Sequence, residues 1–362
     1  TNQLKGSLFE YLRNEKLDAA NFFAPWSNTT NEKLRAPLRY NVFGGTVGGP
    51  VRIPKLYNGR DKTFFYFAYE GSRRGEGSNR ILTVPTDLQR AGNFSQSRLA
   101  NGNLQPLYDP ATTRAQGNTN VRDLFPNNIV PNTRFDSVGL KAIGFFPIAN
   151  QTPANVTGAN NFNANYVARL TRDNYTAKVD HQLGNKDKIT GRYIYNSDDL
   201  FNTSVFPEPA ADTLNDTLRH QNFTYAAWTR TVSPSIINEL RFTYGNRINW
   251  AKSKGVGGDW PSKIGLNGVS QNAFPRFAAT GVTALGQTGQ ERRQFPIQQF
   301  QIINNFSMVR GKHSMKFGLE WRPSMNYEIN LPTASGDMSF SPLSTGLPGN
   351  TNSGNGVASL LL

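Results

Sequence analysis

The chain has 362 residues, and although 37% are hydrophobic, no run approaches the ~18 apolar residues of a membrane helix, which excludes a helical membrane protein. Lys and Arg number 39 against 25 Asp and Glu, a net charge of +14 that points towards anionic partners without choosing among them. The absence of cysteine excludes disulfide frameworks and thiolate metal sites, and 12% aromatic residues beside 33 Gly and 21 Pro suit strands joined by turns.

Residues 6–13 read as a lone strand after a start, Thr1-Asn2-Gln3, that has no signal-peptide pattern and is expected of a mature piece. Residues 43–51 and 63–70 read as a pair, the second carrying Phe65, Phe67 and Tyr69 on one face. Residues 174–183 alternate cleanly. Tyr175, Ala177, Val179, His181 and Leu183 fall on one side, with Asn174, Thr176, Lys178, Asp180 and Gln182 on the other. After the turn at Gly184, Ile189, Gly191, Tyr193 and Tyr195 oppose Thr190, Arg192 and Asn196, which makes a hairpin.

A second hairpin has Phe223, Tyr225 and Ala227 as its apolar set against Asn222, Thr224 and Arg230, turns at Ser233-Pro-Ser, and returns with Leu240, Phe242 and Tyr244 opposite Glu239, Arg241 and Thr243. A third begins with Phe300, Ile302, Phe306 and Met308, turns at Arg310-Gly-Lys312, and returns with Met315, Phe317, Leu319 and Trp321 opposite Ser314, Lys316, Glu320 and Arg322. A tenth strand is expected to start at Gly356-Val-Ala-Ser-Leu.

Short turns alternate with long polar links over residues 14–39, 72–172, 197–220 and 247–294. Links beyond ~12 to 15 residues without structure are uncommon in compact soluble domains. Alternation of short turns with long loops is the pattern of outer-membrane barrels. The expected fold is therefore all-β: an antiparallel transmembrane β-barrel, partial, with about nine to ten strands of a larger barrel. Closure satisfies the backbone without water. Tyr11, Tyr69, Tyr195, Tyr244 and Trp321 fit interfacial girdles. The polar faces, among them Lys178, Asp180, Arg192, Glu239, Arg241, Lys316, Glu320 and Arg322, are expected to line the lumen and to pair across strands.

No enzymatic constellation emerges, and no catalytic, cofactor or metal residue is assigned. His181, His220 and His313 are scattered and lack the His-Glu-x-x-His spacing. Gly44-Gly-Thr-Val-Gly-Gly-Pro50 lacks the Gly-Lys-Ser/Thr ending of a phosphate loop and reads as backbone that lets a barrel wall bend. Asp198, Asp199, Glu208 and Asp212 do not have calcium-loop spacing and read as solvated charge. The triplets at Asn28, Asn93 and Asn155 match glycosylation sequons by composition alone. Arg73, Arg74, Arg80, Arg90, Arg98 and Arg114, with Arg292 and Arg293, would face the anionic outer leaflet, draw an anionic ligand to the pore, or solubilise the loops. Charges and aromatics sort onto opposite strand faces rather than interleaving, which argues against nucleic acid.

Several segments in order, Gly6-Ser-Leu-Phe-Glu-Tyr-Leu-Arg-Asn14, Arg39-Tyr-Asn-Val-Phe-Gly-Gly-Thr-Val-Gly-Gly-Pro50, Asp61-Lys-Thr-Phe-Phe-Tyr-Phe-Ala-Tyr-Glu-Gly71, Arg90-Ala-Gly-Asn-Phe-Ser95 and Asp173-Asn-Tyr-Thr-Ala-Lys-Val-Asp-His-Gln182, resemble TonB-dependent outer-membrane receptors of the Oar-like, Acidobacteria type. The resemblance runs over residues 1–362. It implies the first part of a barrel of roughly twenty-two strands, with the plug and the final strands outside this stretch. It also implies capture of a small solute or saccharide by external loops and passage through the plugged lumen. The implied partners are the plug, the energy-transducing TonB protein, outer-membrane lipid and lipopolysaccharide. A barrel used for adhesion or surface display, and a soluble β domain binding an anionic polymer, are the alternatives.

Overall fold

The computed structural model describes every residue except 1, 25, 28, 211–215 and 287–290. Its framework is a run of long strands: β1 (Lys5–Asn14), β2 (Leu38–Pro50), β3 (Thr63–Leu82), β4 (Phe162–Leu183), β5 (Asp187–Asn202), β6 (Asp216–Ser233), β7 (Ile236–Lys252), β8 (Arg292–Arg310) and β9 (His313–Trp321). Each pairs antiparallel with the next in chain order. Pro323 interrupts the last strand, and Ser324–Asn326 and Ile329–Leu331 resume pairing along β8 to complete an 11-stranded sheet. The sheet is open: among the described residues β1 and β9 each keep an edge without a strand partner. No helix is long and apolar enough to cross a membrane, which has no bearing on strands.

The hairpin turns fall where the sequence places them. Gly184 and Gly311 both take φ +60 in the tight connections β4–β5 and β8–β9, a left-handed conformation that glycine adopts without strain. The segment at residues 6–13 is not alone: β1 pairs with β2 along its whole length, from Lys5 opposite Gly48 to Asn14 opposite Arg39. That pairing explains the glycines of β2. A Cβ on Gly44 would lie 2.2 Å from the Tyr69 carbonyl and 2.7 Å from the Phe9 ring, so neighbouring strands leave room only for hydrogen.

Strand length is the main departure from expectation. The β3–β4 hairpin has strands of 20 and 22 residues rather than about ten. Twenty residues rise about 65 Å along the strand, or about 45 Å in height at a 45° tilt, well above the ~25 Å apolar band of a barrel. The strands continue beyond that band and take up the ends of the long links. The expected tenth strand is also corrected: Gly356–Leu361 is a helix, capped by Asn355, whose side-chain oxygen accepts from the backbone of Val357 and Ala358. Its short apolar run is buried on all sides, where periodicity alone does not distinguish strand from helix.

Register assigns the faces, because directly opposed residues point to the same side. Val179 lies opposite Phe65 and Gly191, Tyr175 opposite Tyr69 and Tyr195, and Phe242 opposite Ile302, which joins their apolar sets into one surface. β6 is inverted relative to the sequence reading. Tyr225 is opposite Arg192 and Thr243, and Ala227 is opposite Thr190 and Arg241, so Phe223, Tyr225 and Ala227 lie on the polar face. Trp228, opposite Ile189 and Leu240, supplies the apolar face instead. Both sides of this strand carry aromatics, so alternation left the choice to the neighbours.

Candidate functional site: the polar face and the loop-end cap

The polar face collects every lumen residue anticipated from the sequence. Lys178 donates to Asp180 at 2.6 Å, while Thr190 donates to the same carboxylate at 2.7 Å and Lys188 approaches it at 3.7 Å. Arg241 bridges to Glu239 at 2.5 Å, Arg322 pairs with Glu320, and Gln301 donates to Glu320 at 2.8 Å. The ion pairs Lys178–Asp180, Glu239–Arg241 and Glu320–Arg322 run along a strand, two residues apart, and the cross-strand links add Lys188, Thr190 and Gln301. At the turn end this face opens into a cavity of about 610 Å³ lined by Lys62, Lys178, Asp180, Gln182 and Lys188.

At the other end, three of the connections that read as polar links, together with the segment after β9, build a common hydrophobic core. Val84, Phe94, Leu107 and Phe146 come from the β3–β4 connection, Phe206 from β5–β6, Ile264, Phe274 and Leu285 from β7–β8, and Leu360 and Leu361 from the segment after β9. Their local structure follows from recognisable chemistry. Thr86 and Gln89 form a capping box on the short helix α1 (Asp87–Arg90). The buried Asn161 side chain exchanges two 2.8 Å hydrogen bonds with the Val84 backbone, standing in for a strand partner. Asn128 does the same for two segments, accepting from Leu107 N and donating to the carbonyls of Phe94 and Gln105.

Long-range ties close the cap. Arg276–Ala279 pairs in parallel with Asp337–Phe340, Thr283 N donates to the Thr83 carbonyl at 2.8 Å, and Asp136 N donates to Leu361 O at 2.7 Å. Helix α2 (Ser137–Ile143) packs so closely on the helix at Gly356–Leu361 that a Cβ on Gly139 would stand 2.0 Å from the Leu360 carbonyl. The β1–β2 connection stays outside this core and, with the tips of β3 and β4, frames a separate groove of about 1130 Å³ lined in part by Phe23, Leu34, Pro37, Arg35 and Arg169.

The basic residues placed on loops turn out to have different work. Arg90 is a core clamp, donating to the carbonyls of Pro85, Ile143 and Pro147, and burial pulls its guanidinium below its ordinary pKa. Arg98 holds the carbonyls of Ser95 and Ser97, Arg114 pairs with Asp123 at 2.7 Å, and Arg80 lies over the Tyr166 ring. Arg73 meets Asp173 at 2.8 Å, Arg74 pairs with Glu76, and Arg293 meets Glu328 at 2.7 Å. Arg134 chelates Asp109 at 2.7 and 3.0 Å and holds that carboxyl below the usual range. Asp198 and Asp199 point to opposite faces, to Arg172 at 3.1 Å and to His220 at 2.8 Å. Asp212 and Asn28 lie outside the described residues. Among the described residues no group of three or more His, Asp or Glu is arranged to hold a metal. His181 Nδ1 hydrogen-bonds Thr63 at 2.7 Å, a packing role at the turn end of the wall.

An aromatic row crosses the apolar face below the cap: Phe43, Tyr69, Tyr175, Tyr195 and His220 follow one another with ring centroids 4.8 to 6.1 Å apart. An apolar face bounded by an aromatic row, an opposite face of ion pairs, and unequal connections agree with the family comparison, in which the profile of the outer membrane beta barrel domain matches residues 1–362. The chain belongs to the outer membrane beta barrel domain family. No curated protein and no solved structure matches it. The protein is an outer-membrane barrel-wall protein; in barrels of this kind short turns face the periplasm and longer loops the outside.

Lys188 and three arginines of the polar face, Arg172, Arg219 and Arg247, escaped the sequence reading. The arginines stood at the margins of the supposed links, and the longer strands carry them onto the face. Continuing the alternation of Lys178, Thr176 and Asn174 by one more step reaches Arg172, which is the signal that would have found it.

Proposed function

We propose that this barrel wall serves in ligand-gated transport across the outer membrane, as in TonB-dependent receptors of the Oar-like type. On this reading the cap captures a solute outside, and the polar face conducts it when a plug is remodelled by the energy-transducing protein. The work is binding and gating rather than bond-making. The observation that carries the reading is the pairing of a folded external cap with a continuous polar face beneath it, since a passive pore needs no such cap. Lipopolysaccharide and outer-leaflet lipid are the proposed neighbours of the aromatic row. The test is uptake by cells carrying the intact gene, with the energy-transducing protein present and deleted, alongside translation of the DNA on both sides. Uptake that stops on deletion, with a plug and a TonB-contacting segment encoded upstream, is the expected outcome; uptake unaffected by deletion would sink the idea.

A second reading, surface adhesion, is favoured by one observation. Exposed large apolar side chains dot the external connections, among them Phe23, Ile148 and Leu343. Cell-surface attachment that is lost on replacing these residues by Ser, with uptake unchanged, would select adhesion.

A further inference from the structure

Arginines gather at the external end of the polar face. Ser72, Arg172, Asp198, Arg219 and Asn249 form one row across β3 to β7. In the next row outward, Arg74 of β3 and Arg293 of β8 stand at the two ends, and in the next row inward Arg247 faces Gln221. Arg172, Arg74 and Arg293 each have an acid, namely Asp198, Glu76 and Glu328. The two in the middle do not. Arg219 reaches only the Asn249 amide oxygen, at 3.3 Å, and Arg247 has no hydrogen-bond or ion-pair partner among the described residues.

On the apolar face, by contrast, Arg73 meets Asp173 at 2.8 Å, His220 meets Asp199 at 2.8 Å, and Arg230 approaches Asp187 at 3.6 Å. Arg219 is opposite Asn249, two residues from Arg247, so the two cations are diagonal neighbours with Cβ atoms about 7 to 8 Å apart. Asp198, directly opposite Arg219, is already paired with Arg172, so among the described residues these arginines share one carboxylate and carry positive charge that an anion can join. Guanidinium forks suit carboxylate, sulfate and phosphate oxygens, which they bind in pairs of charge-assisted hydrogen bonds.

We propose that Arg219 and Arg247, with Arg172 beside them, form a cradle at the external mouth for a solute bearing two anionic oxygen groups, such as a diphosphate. The proposal rests on the transport reading in placing this face along a water-filled lumen, and it names the solute class of that reading. A lipid phosphate is not the source, because the cradle lies on the face opposite the apolar belt.

The test is calorimetric titration of the full-length protein in detergent with inorganic pyrophosphate, and with glucose as the uncharged control. Pyrophosphate is expected to bind and glucose not to, with affinity falling as salt rises. Arg219→Gln and Arg247→Gln should each weaken pyrophosphate about tenfold, the loss of one hydrogen-bonded charge contact. Arg247→Lys should recover part of the loss, and Arg230→Gln on the apolar face should change nothing. Unaltered far-ultraviolet dichroism in each variant establishes that the wall is folded. Absence of pyrophosphate binding to the unmodified protein, or equal affinity in the R219Q/R247Q double variant, overturns the cradle. If pyrophosphate binds but uptake is indifferent to the energy-transducing protein, the cradle stands and the transport reading falls. If uptake needs that protein and pyrophosphate does not bind, the reverse holds.

Discussion

The wall and the cap use the same chain in opposite ways. Along β3 to β8 each strand exchanges backbone hydrogen bonds with two neighbours, and among the described residues the long strands contribute to the main hydrophobic cluster only through partly buried tips, Leu82 of β3 and Phe162 of β4. In the cap, regular pairing is reduced to short ribbons, and the cluster holds Phe94 and Leu107 at 0% exposure. The wall leaves Leu319 at 73% and Trp321 at 58%, side chains that a bilayer rather than the protein covers. One region relies on lipid for its apolar surface and the other makes its own interior, so the two should fail separately.

The sharpest way to break that separation is to empty the cap. Phe94→Ala removes a fully buried ring and should destabilise the cap by about 3 to 5 kcal/mol. Limited proteolysis should then cut the β3–β4 connection rapidly while amide exchange in β4 to β7 stays slow. Equal loosening of both regions would show that they form one cooperative unit.

A face-by-face comparison within β6 comes next in size. Trp228→Lys puts a charge on the apolar face and should cost about 2 to 4 kcal/mol if the site sits near the bilayer midplane, less towards the rim. Tyr225→Lys, three residues away on the polar face, should cost far less. Urea titration in lipid vesicles measures both, and the opposite ranking would restore the sequence-based facing of this strand.

Removing the polar stitch at Asn161 should have a middling effect. Asn161→Ala leaves the Val84 backbone groups unpaired in a buried place, a loss of about 1 to 3 kcal/mol confined to the cap. Thermal melting of the cap, followed by protease resistance, would report it.

The smallest expected effect is titration of Asp109. Arg134 lowers its folded pKa, so the contribution is present above the unfolded value near 4 and is lost as pH falls through the lower folded value. Both partners are partly exposed, which limits the pair to about 1 kcal/mol or less. Asp109→Asn should flatten the acid limb of cap stability, and a limb that keeps its slope would assign it to other carboxylates.

What the sequence disclosed follows the same division. Period-two alternation and glycine turns delimit β4 to β9 because a wall with one wet and one apolar side repeats the same demand at every second residue. It failed at β6, where Phe223 and Tyr225 compete with Trp228, and at the strand tips, where Arg172 read as the end of one link and Arg247 as the start of another. The cap was hidden because an irregular core has no period. Its signals are single residues whose partners are distant: Asn128 bonding near Phe94 and Leu107, Gly139 against Leu360. The capping box of Thr86 and Gln89 was readable locally, yet a four-residue helix inside a long link predicts no packed domain.

The bond from Asp136 N to Leu361 O ties residues separated by most of the sheet, with six long strands threaded between them. Such a contact forms late, because closing so large a loop is entropically costly until intervening hairpins have drawn its ends together. On that order of events the cap would report assembly: its interior would dry after strands β4 to β9 have found their places. A cell surface would then display a sealed, protease-resistant exterior on correctly zipped sheets and frayed, digestible segments on the rest.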